Sequence, residues 1–244
     1  MLDLPERSRK PRKAGLTAMI DFGPDGFGWT GPRGVADLLA CAAEYIDFAK
    51  IYALNSLLLP SEVVAGIVRQ YRDAQILPYS GGILFEYALR RNELDNLAPF
   101  LRGLGFPALE ISENYVELGE DERERAIERF QLEGFTVIYE FGRKNPERPM
   151  DLGELRSVVK WAADHGVEHV IVEQSKLIHA RKHPELRAPP PRPHVVELAE
   201  VAPPPCLPPK GLVDGGHGCL SVGRIRHPER AVPISAAVAS VGAP

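Results

Sequence analysis

Carboxylates and cationic side chains recur along this chain at the ends of short apolar segments. The acidic residues at these ends are Asp21, Glu110, Glu140 and Glu173. The basic residues in corresponding places are Lys50, Arg143 and Lys144. Carboxylate oxygens suit a hard divalent cation such as Mg2+, and cations in the same mouth attract an anion. Taken together they predict a metal and small-anion site, whereas any one of them alone is equally well a solvated charge where a strand meets a loop.

Two further features fit such a site. Ser80-Gly81-Gly82 precedes a helical stretch over 83–90, and backbone donors at a helix N-terminus favour phosphate or carboxylate. A plain tight turn explains these three residues about as well. Ser112 shares a strand face with Glu110, because alternate residues of a strand point to the same side. Glu86 is interpreted as a first-turn acid of the helix and not as a ligand.

The elements that must position these residues are six short β-rich segments. They cover Leu16 to Asp21, Tyr45 to Ile51, Ile76 to Ser80, Pro107 to Ser112, Phe135 to Phe141 and Glu168 to Glu173. Their starts are 29, 31, 31, 28 and 33 residues apart, with helical periodicity between them. Ser61 and Asp151 are predicted N-caps of these helices, and three helices are predicted to end just before Gly105, Gly134 and Gly166. Strands alternating with helices at this spacing predict a parallel sheet of the (β/α)8 TIM-barrel type, in which chemistry collects at the C-terminal strand ends. Six units of the eight can be recognised.

Composition divides the 244-residue chain near position 175. Residues 1–175 hold 20 Lys and Arg against 28 Asp and Glu, whereas 176–244 hold 9 against 5. All 18 aromatic residues lie in the first part, and 13 of the 23 prolines lie between 184 and 244. We therefore expect a barrel-type domain over 1–175 and a Pro-rich, irregular tail over 176–244 that is disordered or polyproline-like. Either the tail replaces the last two units, or the reading frame is not the one with which the fold evolved.

Several classes of protein are disfavoured by the same data. No apolar run reaches the roughly 18 residues of a membrane span, and the N-terminus has no apolar signal core. The formal charge of -4 argues against a nucleic-acid binder. Three scattered cysteines indicate neither a disulfide framework nor a zinc site. The sequence predicts a cytoplasmic protein and leaves a homo-oligomer open.

A family resemblance rests on a series of short motifs in matching order and spacing. They are Lys10-Pro11-Arg12 to Gly15-Leu16-Thr17, Tyr45-Ile46-Asp47-Phe48-Ala49-Lys50, Gly81-Gly82 with Glu86, Gly105-Phe106 to Glu110-Ile111-Ser112, and Glu140-Phe141-Gly142-Arg143-Lys144. Over roughly residues 5 to 175 the chain resembles the phosphosulfolactate synthase family. The resemblance implies a barrel fold and Mg2+-dependent addition of sulfite to phosphoenolpyruvate, a step towards coenzyme M or sulfolactate.

The site roles combine this resemblance with the strand-end positions. Lys144 is assigned as the general acid, Lys50 as an anion contact, and Arg143 as a clamp for phosphate or carboxylate. Ser80, Gly81, Gly82 and Ser112 are further substrate contacts. Glu110 and Glu140 are the main metal ligands, with Asp21 and Glu173 as weaker candidates. Two alternatives stay open: a Schiff-base aldolase, and a non-catalytic binding protein like the plant heat-stress-associated relatives of this family.

Overall fold

The computed structural model describes residues 8–13, 15–25, 31–142 and 152–172, and two short strands at 200–201 and 219–220. The strands are β1 (Ala18–Asp21), β2 (Phe48–Ile51), β3 (Leu77–Ser80), β4 (Ala108–Ser112), β5 (Thr136–Phe141), β6 (His169–Val172), β7 (Glu200–Val201) and β8 (Cys219–Leu220). The α-helices are α1 (Pro32–Ala42), α2 (Asn55–Leu58), α3 (Ser61–Asp73), α4 (Gly82–Arg90), α5 (Leu94–Gly103), α6 (Glu120–Leu132) and α7 (Leu152–Asp164).

The first six strands form one parallel sheet in chain order. Each strand pairs with the next along the sequence, from β1 with β2 to β5 with β6. Helices lie between consecutive strands, so the connections are the crossovers that parallel pairing requires. All six segments predicted from the sequence are strands, each beginning one to three residues later than predicted. The (β/α) prediction is confirmed, and the described residues supply six of its parallel strands.

The sheet has an inner face, lined by one apolar cluster drawn from all six strands. Its members are Leu16, Ala18, Phe48, Tyr79, Ala108, Ile138 and Ile171. The Phe48 ring on β2 lies 4.9 Å from the His169 ring on β6, four strands away. The sheet must therefore curl, because even adjacent strands lie about 4.8 Å apart. This curl gives a half-barrel, and the inner face is its concave side.

The outer face of the sheet packs against the helices. Helix α3 shows why, since Val64, Ile67, Val68 and Tyr71 recur at helical spacing and are all buried. Alternate strand residues such as Ala49, Ile51 and Leu109, with the buried faces of the helices, belong to a second, larger apolar cluster. Both faces of the sheet are therefore covered by apolar side chains near its middle, which leaves the strand ends for polar groups.

The helix ends agree with the sequence signals, with one shift. Gly105, Gly134 and Gly166 follow α5, α6 and α7 with positive φ angles of 84°, 86° and 73°, as expected of residues that end a helix. Ser61 is the first residue of α3, and the N-cap position is Pro60, so the predicted cap is displaced by one residue. Asp151, the predicted N-cap of α7, lies outside the described residues.

The tail contributes two strands that the sequence analysis does not predict. β8 pairs antiparallel with β1 at Ala18 and Leu220, and β7 pairs antiparallel with β8. The free edge of β1 presents unpaired backbone groups, and an extended segment of almost any sequence can pair with them. Strands of two residues are too short to be predicted from amino-acid composition. The rest of 176–244 lies outside the described residues, and the boundary at 175 stays a prediction.

In the part of the chain that the structure describes, no helix combines the length and apolar character needed to cross a membrane.

Candidate active site

Three charged side chains meet on the inner face at the C-terminal edge of the sheet. Lys50 Nζ lies 2.7 Å from Glu110 Oε1 and 3.8 Å from Glu140 Oε2. These residues come from β2, β4 and β5, and all three are buried, Glu110 completely. The curl of the sheet brings them together across β3. We call them the inner cluster, and it joins three of the residues that the sequence analysis selected.

The inner cluster has two carboxyl groups for one ammonium group. Burial alone would lower the pKa of Lys50, but the Glu110 and Glu140 carboxylates outweigh burial, so this pKa is raised and the ammonium keeps its proton. Burial raises the pKa of Glu110 to about 8, against the opposing effect of Lys50. In the absence of a ligand, a proton on Glu110 is therefore favoured at neutral pH, and a bound divalent cation would displace this proton.

The backbone of α4 also contributes to the inner cluster. Gly82 N donates a hydrogen bond of 2.8 Å to Glu110 Oε1. A Cβ at this position would overlap the Ser112 side chain and approach Glu110, so the close contact requires glycine. Gly81 N donates to Ile51 O at 3.0 Å. The sequence analysis expected these amides to bind a substrate anion, but the fold uses both of them itself.

Glu86 organises the loop that follows β4. Its carboxylate accepts hydrogen bonds from the Ser112 hydroxyl and from the backbone N–H groups of Asn114 and Tyr115, the last two at 2.9 and 2.8 Å. A buried carboxylate bound by several donors fixes a backbone conformation. The interpretation of Glu86 as a first-turn acid is wrong, because α4 begins at Gly82 and has no acidic residue in its first turn. Ser112 lies on the inner face as expected, with its hydroxyl directed to Glu86.

Asn114 joins this loop to the inner cluster. Its Nδ2 donates to Glu140 Oε2 at 2.8 Å, while its Oδ1 is buried without a hydrogen-bond partner. Glu110 Oε2 and the Tyr79 hydroxyl are also buried without a partner. Each such atom costs about 1–3 kcal/mol unless something binds it. Three of them around one cluster indicate that the cluster is arranged for a ligand.

A second group of charged residues lies behind the same loop, on the outer face. Glu113 accepts hydrogen bonds from Arg123 Nε and Nη2, from Leu118 N and from the Tyr139 hydroxyl. The Arg123 guanidinium also lies over the Tyr139 and Trp161 rings, 5.7 and 5.4 Å from their centroids. We call Glu113, Arg123 and Tyr139 the outer cluster. These contacts fix the position of Glu113, which immediately precedes Asn114 in the loop.

The structure separates other predicted residues from the inner cluster. Asp21 pairs in register with Ile51 on the outer face, and its carboxylate accepts from the Tyr71 hydroxyl and Gly23 N, at 2.8 and 2.9 Å. Ser80 follows Tyr79 and therefore also lies on the outer face. These positions correct the expectation that Asp21 would join the metal ligands and that Ser80 would contact substrate. Because successive strand residues point to opposite faces of the sheet, a difference of one position moves a side chain from the inner face to the outer face.

Asp47, a member of the motif Tyr45-Ile46-Asp47-Phe48-Ala49-Lys50, also lies away from the inner cluster. It precedes β2 and lies at the opposite, N-terminal edge of the sheet, where both oxygens accept from Arg12 Nη1 at 2.8 and 2.9 Å. The Lys10-Pro11-Arg12 motif thus anchors the N-terminal segment. Arg143, Lys144 and Glu173 lie outside the described residues, so their assigned roles stay predictions.

The oxygen atoms of the inner cluster suit a hard cation. No group of three or more His, Cys, Asp or Glu side chains is placed to hold a metal within the described ranges. Two carboxylates and an amide are present, however, in Glu110, Glu140 and Asn114. Two of their oxygens, Glu110 Oε2 and Asn114 Oδ1, have no hydrogen-bond partner. Such a donor set fits Mg2+, which takes a few protein oxygens and keeps several waters.

Comparison with known proteins identifies the family. A profile of the (2R)-phospho-3-sulfolactate synthase (ComA) family matches residues 5–184. The chain belongs to this family. A phosphosulfolactate synthase of Methanothermobacter thermautotrophicus is 39% identical over 144 residues, which are 59% of this chain and 54% of that protein. The Methanocaldococcus jannaschii enzyme of the same name is 34% identical over 161 residues, which are 65% of this chain and 62% of that protein.

The match covers only part of these relatives. A Bacillus subtilis phosphosulfolactate synthase is 29% identical over 179 residues, which are 70% of this chain and 66% of that protein. The chain therefore spans between about half and two thirds of the length of the relatives it matches. Among solved structures, an aldolase named QR15 aligns at 16% identity with a TM-score of 0.37, covering 58% of this chain and 62% of that chain.

Three residues of the site were not found from the sequence. From the sequence alone, Tyr79 is an ordinary aromatic residue of a predicted strand, and Glu113 and Asn114 are residues of a predicted loop. The sequence does contain an indication that Tyr79 belongs to the site. It lies two residues before Gly81, and it shares a face with Lys50 once the two strands are aligned in register. Nothing in a single sequence indicates that the Asn114 amide lies against Glu140, 26 residues away.

Proposed function

We propose that this chain catalyses the Mg2+-dependent addition of sulfite to phosphoenolpyruvate, giving phosphosulfolactate. Membership of the (2R)-phospho-3-sulfolactate synthase family supports the reaction class. The observation that carries the proposal to this chain is the inner cluster, in which a protonated Lys50 lies against two carboxylates at the C-terminal edge of the strands. In barrels this edge bears the active site. A cytoplasmic location and use of the product for coenzyme M or sulfolactate belong to the same proposal.

The reaction is an addition across a carbon–carbon double bond. The sulfite sulfur attacks the methylene carbon of phosphoenolpyruvate, and the electron pair of the double bond moves towards the carboxylate. A proton then goes to the carbon that bears the phosphate ester. Negative charge grows on the carboxylate oxygens during the attack, so groups that meet this charge lower the barrier.

The residues of the inner cluster divide between two tasks. Glu110 and Glu140 would hold Mg2+, with Asn114 Oδ1 as a third oxygen. When bound, the ion supplies Lewis-acid stabilisation for charge on the substrate carboxylate. Lys50, whose raised pKa keeps it protonated, would contact an anionic oxygen of the substrate. The buried surroundings exclude water and so strengthen these contacts.

Lys144 and Arg143 complete the proposed machinery. Lys144 would deliver the proton to carbon, and Arg143 would bind phosphate or carboxylate through two parallel hydrogen bonds. Glu173 stays a weaker candidate for the metal. These roles come from strand-end position and family resemblance.

The state of Lys50 argues against the aldolase alternative. A Schiff-base lysine must lose its proton to attack a carbonyl, and this requires a lowered pKa. The pKa of Lys50 is raised by Glu110 and Glu140. Lys50 is therefore better suited to bind an anion than to form an imine.

The test is an assay of the full chain with phosphoenolpyruvate and sulfite, with and without Mg2+. We expect phosphoenolpyruvate to be consumed and phosphosulfolactate to form only when all three are present. Lys144→Ala should abolish product formation without changing the fold, whereas Lys160→Ala, an exposed lysine on α7, should have no effect. An inactive wild-type protein that is folded would support the non-catalytic binding alternative. Full activity of Lys144→Ala would remove that residue from the mechanism.

A further inference from the structure

Among the described residues that line the half-barrel interior, Tyr79 has a hydroxyl that the fold does not use. Tyr79 on β3 is 1% exposed, and its hydroxyl is buried without a hydrogen-bond partner. A phenol hydroxyl in the interior normally finds an acceptor, so an unused donor requires an explanation. We propose that the Tyr79 hydroxyl donates a hydrogen bond to an anionic oxygen of the bound substrate, beside the Lys50 ammonium. This inference rests on the proposed function and adds a residue to its site.

The register of the sheet places Tyr79 next to Lys50. The two residues are direct partners in the pairing of β2 with β3, so their side chains leave the sheet on the same inner face. On the other side Tyr79 is paired with Ala108, which belongs to the same apolar cluster. The ring itself packs in the inner apolar cluster. Packing thus fixes the ring, and the hydroxyl is the part of the side chain without a structural task.

Donors and acceptors around the inner cluster form two complementary sets. Lys50 and Tyr79 supply donors. Glu110 Oε2 and Asn114 Oδ1 supply acceptors without partners. A ligand that satisfies both sets must combine an anionic oxygen with a positive or proton-rich part. A carboxylate or enol phosphate bound together with a hydrated divalent cation has this combination.

Tyr79 remains a donor throughout the neutral range. Burial raises its pKa, and Glu110 raises it further, so the hydroxyl keeps its proton at neutral pH. A neutral hydroxyl beside a lysine ammonium can stabilise charge that develops on a substrate oxygen. Its contribution should therefore appear mainly in kcat, with a smaller effect on KM.

Two other buried tyrosines, Tyr71 and Tyr139, have hydroxyls that donate hydrogen bonds to carboxylates of the protein. The Tyr71 hydroxyl donates to Asp21 Oδ2 at 2.8 Å, and the Tyr139 hydroxyl donates to Glu113 Oε1 at 2.7 Å. Both are on the side of the sheet that faces the helices. Removing such a hydroxyl leaves a buried carboxylate short of a donor. Removing the Tyr79 hydroxyl leaves no protein acceptor unpaired in the described part of the chain.

The experiment compares Tyr79→Phe with Tyr71→Phe in the full chain. For Tyr79→Phe we expect kcat/KM to fall roughly 10- to 100-fold, mostly through kcat, because a hydrogen bond to a charged group is lost. Its midpoint of thermal unfolding without ligand should equal or exceed that of the wild type. Tyr71→Phe should show the reverse, with a lower midpoint and kcat/KM within about threefold of wild type.

Ligand binding gives a second measurement that does not need turnover. Phosphoenolpyruvate with Mg2+ should raise the unfolding midpoint of the wild type, and the increase should be smaller for Tyr79→Phe. Kinetic constants within twofold of wild type in Tyr79→Phe would overturn the inference while leaving the proposed function intact. If the wild type shows no turnover, the proposed function is overturned. The role of Tyr79 is then tested by the ligand-induced shift in the unfolding midpoint alone. Equal shifts in both proteins, or none in the wild type, overturn the inference.

Discussion

Two clusters of ionisable side chains lie on opposite faces of the same sheet. The inner cluster contains Lys50, Glu110 and Glu140, and the outer cluster contains Glu113, Arg123 and Tyr139. They are adjacent in sequence, since Tyr139 precedes Glu140 on β5. In the outer cluster one carboxylate meets one guanidinium and accepts four hydrogen bonds. In the inner cluster two carboxyl groups share one ammonium, and Glu110 Oε2 has no partner.

This difference teaches how to separate a structural ion pair from a functional one. A balanced and fully bonded cluster has nothing left to offer a ligand, and it stabilises the loop that it holds. An unbalanced cluster with unmet acceptors costs stability and is retained where a ligand completes it. Substitutions in the outer cluster should therefore mainly change stability. Substitutions in the inner cluster should mainly change activity.

Glu110→Gln should give the largest effect on activity. The amide keeps an oxygen for Gly82 N and Lys50 but loses the charge that would hold the metal. We expect kcat/KM to fall at least about 100-fold, since a preorganised electrostatic contact is lost. The free energy of unfolding without Mg2+ should be unchanged or higher, because the cluster stays neutral. Urea unfolding and the sulfite assay measure the two quantities.

Glu128→Gln, an exposed residue of α6, is the matched control and should change neither quantity. A clear loss of stability in Glu110→Gln with activity retained would reverse the comparison, and the inner cluster would then be structural.

Arg123→Met should give the largest effect on stability. The change leaves Glu113 buried without its guanidinium partner and removes two stacking contacts with aromatic rings. Because Arg123 is partly exposed, we expect a loss of about 2 kcal/mol in the free energy of unfolding, below the 3–5 kcal/mol typical of fully buried pairs. Activity at 25 °C should stay within about threefold. Arg125→Met, exposed on the same helix, serves as the control; equal stability of the two variants would contradict the structural role of the outer cluster.

Gly82→Ala should affect both stability and activity. The new methyl group would overlap the Ser112 side chain and press on Glu110, so we expect a loss of about 1–3 kcal/mol together with reduced activity. Ser112→Gly in the same chain removes the overlap and should restore part of the stability. Gly103→Ala is the control, since no atom lies within 4 Å of its added Cβ. If the double variant is no more stable than Gly82→Ala, the proposed overlap is not the cause.

His165 should give the smallest effect, and one that depends on pH. Its Nδ1 lies 2.7 Å from Trp161 O and its Nε2 lies 3.2 Å from Glu124 Oε1, so both nitrogens face acceptors and the pKa is raised. A raised histidine pKa stabilises the folded state below the unfolded value of about 6.5 and this contribution is lost as pH rises through the folded pKa.

His165→Ala should therefore lower the free energy of unfolding at pH 5.5 by at most about 1 kcal/mol, the size of an exposed ion pair, and by less at pH 8.5. Urea unfolding at the two pH values checks this. A loss that is the same at both would show that packing against Trp161, not charge, is responsible.

The sequence predicts the framework of this molecule well and the faces of its strands poorly. The six strands and the ends of α5, α6 and α7 follow from local signals, namely apolar runs and glycines just past the helical stretches. Asp21 could not be assigned in the same way. In a parallel sheet covered on both sides the strands are apolar throughout, so polarity does not alternate and gives no indication of the inner face.

The contacts that distinguish the two clusters depend on distant parts of the chain. Glu86 meets the loop after β4 about 28 residues later, and Gly82 N is taken by Glu110 across the same distance. A Gly pair before a helix reads as an anion cradle when only local signals are used. Only the fold shows that a carboxylate of the protein already occupies that position.

The residues of the inner cluster and of its support come from a continuous arc of the half-barrel, β2 to β5, between positions 50 and 140. Within the described residues, β1 contributes no side chain to these contacts. A rearrangement at the β1 edge would therefore alter how a reactant is enclosed before it alters how it is held.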